Sequence, residues 1–198
     1  MPVRLRGAPR DIKVCNFEIE YEDVFHMKTL YKRMYDFLVE EGWKAAESDG
    51  DDNNYETLYW ERKNQSDGMD HHVWWRCFRV PEGNRYYRYF LKIDMQTLNM
   101  KKIEVMHKGQ KFGTNKGDVI IRVESYVQID YRDEWEKNSI TNYFKEKFKE
   151  RIYAQEIDAY KKDLYAATYR LNTLIKQYLQ LKNPMADWGR SFHPEKGI

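Results

Sequence analysis

His71 and His72, with Asp67 and Asp70 just before them and Cys77 nearby, are the side chains that most invite a metal reading. A metal site needs donors that converge on one point, and a structural zinc site needs four of them. The two histidines fall in a strand pattern, where neighbouring side chains point to opposite faces. No second histidine cluster has ligand spacing, so neither a metal nor any other cofactor is expected. Nucleophiles give no stronger signal. Ser48, Ser66, Ser125, Ser139 and Ser191 lie outside any nucleophile elbow or glycine-rich strand-turn-helix context. With 32 carboxylates in the chain, two acids close in sequence say nothing about an acid-base pair. The sequence leans away from an enzyme without excluding one, and no catalytic residue is assigned.

The segment 108–117 carries Lys108, Lys111 and Lys116 among Gly109, Gly113 and Gly117. It lacks the Walker spacing and opens a strand, so no helix N-terminal amides are available for a phosphate. It reads as a lysine-rich hairpin tip. A more informative constellation is the alternation of Trp74, Arg76, Phe78, Tyr86, Arg88, Phe90 and Lys92 along two strand-like segments. Aromatic and guanidinium groups on one sheet face can stack unpaired bases or anchor a protein partner. They can also pack beneath a helix laid across that face, with the arginine stems contributing apolar surface.

Those side chains need a sheet to hold them. Cys15, Phe17, Ile19 and Tyr21 alternate with polar residues as in a half-buried strand. Residues 23–41 change to helical spacing through Met27, Leu30, Met34 and Leu38, with Asp23 as the expected N-cap and Gly42-Trp43 as the stop. The acidic, polar stretch 48–54 reads as an exposed loop. Strands are expected over 55–62, 72–80, 85–95, 102–107 and 118–131. Five strands in succession without helices between them imply antiparallel pairing. The run Val80-Pro81-Glu82-Gly83-Asn84 suits a three-residue hairpin loop with a bulged glycine. That loop pairs Val80 with Asn84, Phe78 with Tyr86, Arg76 with Arg88 and Trp74 with Phe90, and leaves Val73, Trp75, Cys77, Tyr87, Tyr89, Leu91 and Ile93 on the core face. From Trp135 to about Lys182 the pattern is helical. Ile157, Tyr160, Leu164, Ala167, Leu171, Leu174, Tyr178 and Leu181 form its seam, and Asn183-Pro184 stops it. Core packing comes first as the use of this seam, with its distal half available to a partner.

The expected class is α+β, an antiparallel sheet of about six strands with one helix after the first strand and a long C-terminal amphipathic helix. A basic arm (1–10), one domain (11–183) and a tail (184–198) divide the 198 residues. A chain of this length needs no disulfide to stabilise it, and Cys15 and Cys77 read as buried, reduced thiols. The N-terminal arm has no apolar segment of a secretory signal, and no run approaches the ~18 apolar residues that cross a bilayer. A cytoplasmic location without a membrane partner follows.

This order of elements, over residues 11–182, resembles the helix-grip arrangement of the START and Bet v 1-like superfamily. That resemblance implies a curved sheet around the last helix and a place for an apolar ligand near Tyr89, Leu91 and Leu164, although a small-molecule ligand is the least favoured partner. Trp74-Trp75-Arg76, Thr114-Asn115-Lys116-Gly117 and the segment from Asp130-Tyr131 to Trp135 are similar to small archaeal proteins without an assigned activity, which implies a cytoplasmic archaeal setting. The leading expectation is a non-catalytic interaction module, a homo-oligomer or a subunit of a larger assembly. Its contacts come from the arginine-aromatic face, the last helix, and Trp188 and Phe192 of the tail. The alternative partner is RNA or a ribosomal particle, met by Arg4, Arg6, Arg10, Lys108, Lys111 and Lys116. A formal net charge of only +2 works against it.

Overall fold

Alternation of apolar and polar residues builds most of this protein. The computed structural model describes residues 11–46, 54–64, 68–84, 86–107, 110–132 and 154–181. In chain order the elements are β1 (Asp11–Phe25), α1 (Met27–Glu40), the short β2 (Lys44–Ala45), β3 (Glu56–Lys63), β4 (Met69–Arg79), β5 (Tyr87–His107), β6 (Gln110–Ile129) and α2 (Ala154–Tyr178). The strands make one six-stranded antiparallel sheet in the order β1-β6-β5-β4-β2, with β3 also paired to β4. The expected α+β class and its two helix positions are therefore observed.

Rows of side chains cross the sheet on its core face. Trp75 stands opposite Ile93, Ile93 opposite Val123 and Val123 opposite Phe17; the next row is Val73, Met95, Ile121 and Ile19. All but the partly buried Phe17 are sealed from solvent. Two helices close this face. Leu30, Met34 and Leu38 of α1 are fully buried, and Tyr31 meets Trp75 edge to face at 4.7 Å between ring centroids. Along α2, Leu164, Leu171 and Ile175 are fully buried, and Leu179 just beyond its end is nearly so. Tyr160 starts this helix against Tyr87, at 4.9 Å, and its hydroxyl accepts a 2.7 Å bond from Asn84 Nδ2. Tyr178 ends it by donating to the carbonyl of His26 at 2.9 Å. The distal half of the seam, expected to be available to a partner, is instead committed to the chain's own core, because β1 and β6 extend far enough to need covering.

Charge ties the layers together at one end. Arg170 of α2 grips Glu41 with both arms, Nε at 2.9 Å and Nη2 at 2.7 Å, and Arg79 of β4 reaches the same carboxylate at 3.2 Å. Arg170, ahead of burial, holds the Glu41 carboxyl below its usual range.

Local chemistry moves several expected boundaries. Helix α1 is capped by His26, whose Nδ1 accepts the Thr29 N–H at 3.2 Å, while Asp23 remains in β1. Gly42, at φ 74°, ends the helix as expected, and Trp43 folds back to donate to Leu38 O at 2.9 Å. The expected strands over 85–95 and 102–107 are one strand, β5, bulged at Asn99 with φ 49°. Asp70 holds that bulge by accepting the Asn99 N–H at 2.8 Å, and Gly68 is needed because a Cβ there would lie 2.9 Å from Asn99 Cα. Thr114 to Gly117, expected in a loop, run within β6, since β1 continues to pair there through Val24 with Lys116. Gln180, at φ 54°, takes the chain out of α2 before Asn183-Pro184.

The β4–β5 connection is the largest correction. Gly83 is left-handed as expected, at φ 71°, but Asn84 N–H donates to Pro81 O and the three-residue loop that would pair Val80 with Asn84 does not form. Arg79 pairs instead with Tyr89 and Phe78 with Phe90, a register four residues from the expected pairing. The Asn84 side chain causes this by accepting the N–H groups of Tyr86 and Tyr87, which starts β5 later. An even slip leaves each residue on its expected face.

Leu171→Ala is expected to remove about 2–5 kcal/mol of unfolding free energy in urea titration. A loss under about 1 kcal/mol would contradict its place at the centre of the core.

Candidate functional site

On the outer face the six expected contact residues part company. Trp74 is 43% exposed and Tyr86 40%, while Arg88 and Phe90 are buried at 6% and 1%. Arg88 lies between two rings, with its guanidinium carbon 5.3 Å from the Phe78 centroid and 4.8 Å from that of Tyr131. Its Nε donates to Gln128 at 2.8 Å. Phe90 has Phe78 opposite on one side and Tyr126 on the other. Arg88 and Phe90 are thus buried against Phe78, Tyr131 and Tyr126, where an exposed face was expected. Arg4, Arg6, Arg10, Lys108, Trp188 and Phe192 lie outside the described residues.

Across β1, β6 and β5 the outer face is a lattice of opposite charges. Lys13 binds Glu124 at 2.6 Å, Lys92 reaches the same carboxylate at 3.7 Å, and Arg122 pairs with Glu18. Burial raises the Glu124 carboxyl, but bonds from Lys13 and Tyr126 and the nearby Lys92 outweigh it and leave the group below its usual range. Arg76 Nη1 donates to Asp94 at 2.6 Å. Lys111 has Glu104 at 3.5 Å, and Lys116 stands in β6 opposite Lys101.

Aromatic surface concentrates where this lattice ends, along β4 and β3. Leu58 is opposite Trp74 and Trp60 opposite His72, so all four share the outer face. Trp60 is 41% exposed, with its ring 5.1 Å from that of His72. One guanidinium sits over each tryptophan, Arg62 at 5.7 Å from Trp60 and Arg76 at 5.5 Å from Trp74. Arg62 also reaches Asp70 at 3.6 Å. Leu58, Trp60, Arg62 and His72 were not assigned to this face from the sequence. Residues 55–62 read as a strand, but no turn signal fixed its register against β4, and the face of a strand is unknown until its register is.

The two histidines do point apart. His71 belongs to the core side, where its Nδ1 lies 2.7 Å from Thr97 Oγ1 and its Nε2 4.0 Å from Glu61. Among the described residues no three histidine, cysteine or carboxylate side chains are grouped to hold a metal ion. Cys15 and Cys77 are free and buried, and burial pushes both thiols up. No described helix is long and apolar enough to cross a membrane. The fold and this margin describe an α+β protein with an aromatic-guanidinium surface at one sheet edge. No family model matches the chain, and no curated protein sequence matches it.

Burial lowers the His71 pKa below its free value of 6.5, and Glu61 and Asp70 only partly oppose this. The unfolded chain therefore takes up a proton before the folded one does. Stability from the neutral ring is complete above the unfolded value and declines as the pH falls through it. NMR titration is expected to give His71 a midpoint below that of a free histidine, and His71→Asn to flatten the fall in unfolding free energy between about pH 7 and pH 5. A midpoint at or above the free value would refute the burial argument.

Proposed function

We propose that this chain is a non-catalytic protein-interaction module of the cytosol, a homo-oligomer or a subunit of a larger assembly. Its contact surface is the β3–β4 margin of the outer face. The observation that carries the reading is the pair Trp60 and Trp74, each about two-fifths exposed on one face with a guanidinium above it. Tryptophan and arginine are the side chains whose desolvation contributes most at protein interfaces. Their rings are held in place by His72 and Leu58, so little side-chain entropy is lost on contact.

Binding of RNA has less support. Arg62 and Arg76 face carboxylates on the protein itself, and Lys13, Lys92, Lys111 and Arg122 do likewise. A phosphate backbone would have to displace those partners, and the affinity from counterion release would shrink accordingly. An apolar ligand between sheet and last helix also has less support, since Tyr89, Leu91 and Leu164 are almost wholly enclosed by the chain's own core.

Light scattering behind a sizing column is expected to find a defined assembly that persists in high salt and after nuclease treatment. Trp74→Ala and Arg76→Ala should each weaken that association about tenfold or more, with unchanged far-UV circular dichroism. Association untouched by both substitutions would remove this surface from the reading. Nucleic acid carried by the protein and shed in salt would replace it with the RNA alternative.

A further inference from the structure

Strand β3 pairs with β4 along one edge only, and among the described residues no strand lies against its other edge. Its backbone polarity can be read from the turn that joins the two strands. Asn64 N–H donates to Gly68 O at 2.8 Å. Antiparallel pairs alternate between bonded and non-bonded types, so Leu58, Trp60 and Arg62 direct their backbone groups at β4. β4 agrees from its own side, since Arg76 donates its N–H to Tyr55 O and accepts that of Ala46, both on this edge. Tyr59 and Glu61 consequently aim their N–H and C=O groups away from the sheet. Tyr59 is the more exposed of the strand's aromatic residues, at 52%. Free edges are commonly blunted by proline, a bulge or charge. Here the bulge falls at the start of the strand, between Glu56 and Leu58, and leaves the run from Leu58 to Arg62 regular and without proline.

We propose that a second copy of this chain pairs antiparallel with β3 about a two-fold axis through Trp60, continuing one sheet across the dimer. This rests on the reading of the β3–β4 margin as a protein-contact surface and names its partner. A two-fold that keeps core face beside core face must pass through a residue of the strand, and three central residues are available. Centring on Glu61 sets two carboxylates against each other, which is unfavourable. Centring on Tyr59 draws Glu56 and Thr57 into the pairing, where the bulge breaks the strand. Centring on Trp60 uses the regular stretch alone. Tyr59 then exchanges both backbone bonds with Glu61 of the second copy, and no like charges are opposed.

The same axis accounts for the exposed rings. Trp60 meets Trp60 of the second copy at a non-bonded position, where opposite side chains approach most closely. With His72 beside each indole, four rings form one row across the seam. Arg62 of the second copy comes opposite Leu58, next to Trp74 in the same row. Both tryptophans and the arginine between them are thereby covered by one contact.

The test uses the full chain in three forms. For the unaltered protein, sedimentation equilibrium should give a dimer. Trp60→Cys, under mild oxidation, should form a disulfide-linked dimer, whereas Tyr59→Cys, offset from itself by two residues at roughly 7–8 Å, should cross-link far less. Cys15 and Cys77 are buried and do not compete. Tyr59→Pro removes an N–H that makes no bond within the sheet, so the fold should survive while dimerisation weakens about tenfold or more. A monomer up to roughly 100 µM overturns the dimer and leaves the contact surface to be judged by Trp74→Ala with another partner. A dimer that ignores Tyr59→Pro and does not cross-link through Trp60→Cys overturns the edge pairing alone.

Discussion

The burial of every second side chain of β4, β5 and β6 beneath two helices is the constraint from which the rest of this structure follows. A sheet has two faces, and among the described residues both helices lie on one of them. Trp75, Ile93 and Val123 are sealed there with Met34 and Leu171, and Tyr89 and Leu164 are buried in the same cluster. The described core face is thus largely covered by the chain's own helices, and the exposed rings of Trp60 and Trp74 lie on the other face.

That other face is handled by different means at its centre and its margin. At the centre, Arg88 is stacked between Phe78 and Tyr131, and Phe90 is buried between rings. Beside them, Lys13, Lys92 and Arg122 are each matched to a carboxylate across a strand. Exposed pairs of this kind contribute little to stability. They do neutralise the face, which leaves little unmatched positive charge for a polyanion. Towards β3 the pattern gives way to Trp60 and Trp74 with open surface.

Much of this was legible because burial has a period. The alternation in residues 72–80 and 87–93 placed each residue on its face, and a register error of four residues did no harm since four is even. The helical spacing through Leu30, Met34 and Leu38 located α1, and Gly42-Trp43 located its end. What could not be read depends on side chains acting at a distance in sequence. Asn84 delays β5 by bonding two amides and reaches Tyr160 on α2; Asp70 holds a bulge at Asn99 and so fuses two expected strands. The exposure of Arg88 was likewise illegible, because an arginine in an alternating strand has the same pattern whether water or Tyr131 lies beyond it. Trp60 was missed for a simpler reason: its strand had no fixed register, and a single-residue slip would have put it in the core.

The edge residues of β3 carry the remaining tension. Glu61, Arg62 and Lys63 are the charges that discourage unwanted strand pairing, yet they follow Leu58, Tyr59 and Trp60, which invite it. A wholly protective edge would be charged throughout, and a wholly sticky one would assemble without limit. A short apolar run flanked by charge permits pairing only in registers that keep the charges apart. Under the proposed two-fold symmetry that condition would favour a closed pair at this edge, because the β3 edge of each copy would be consumed by the other. Specificity at such an edge would come from the flanking charges, and affinity from the rings they frame.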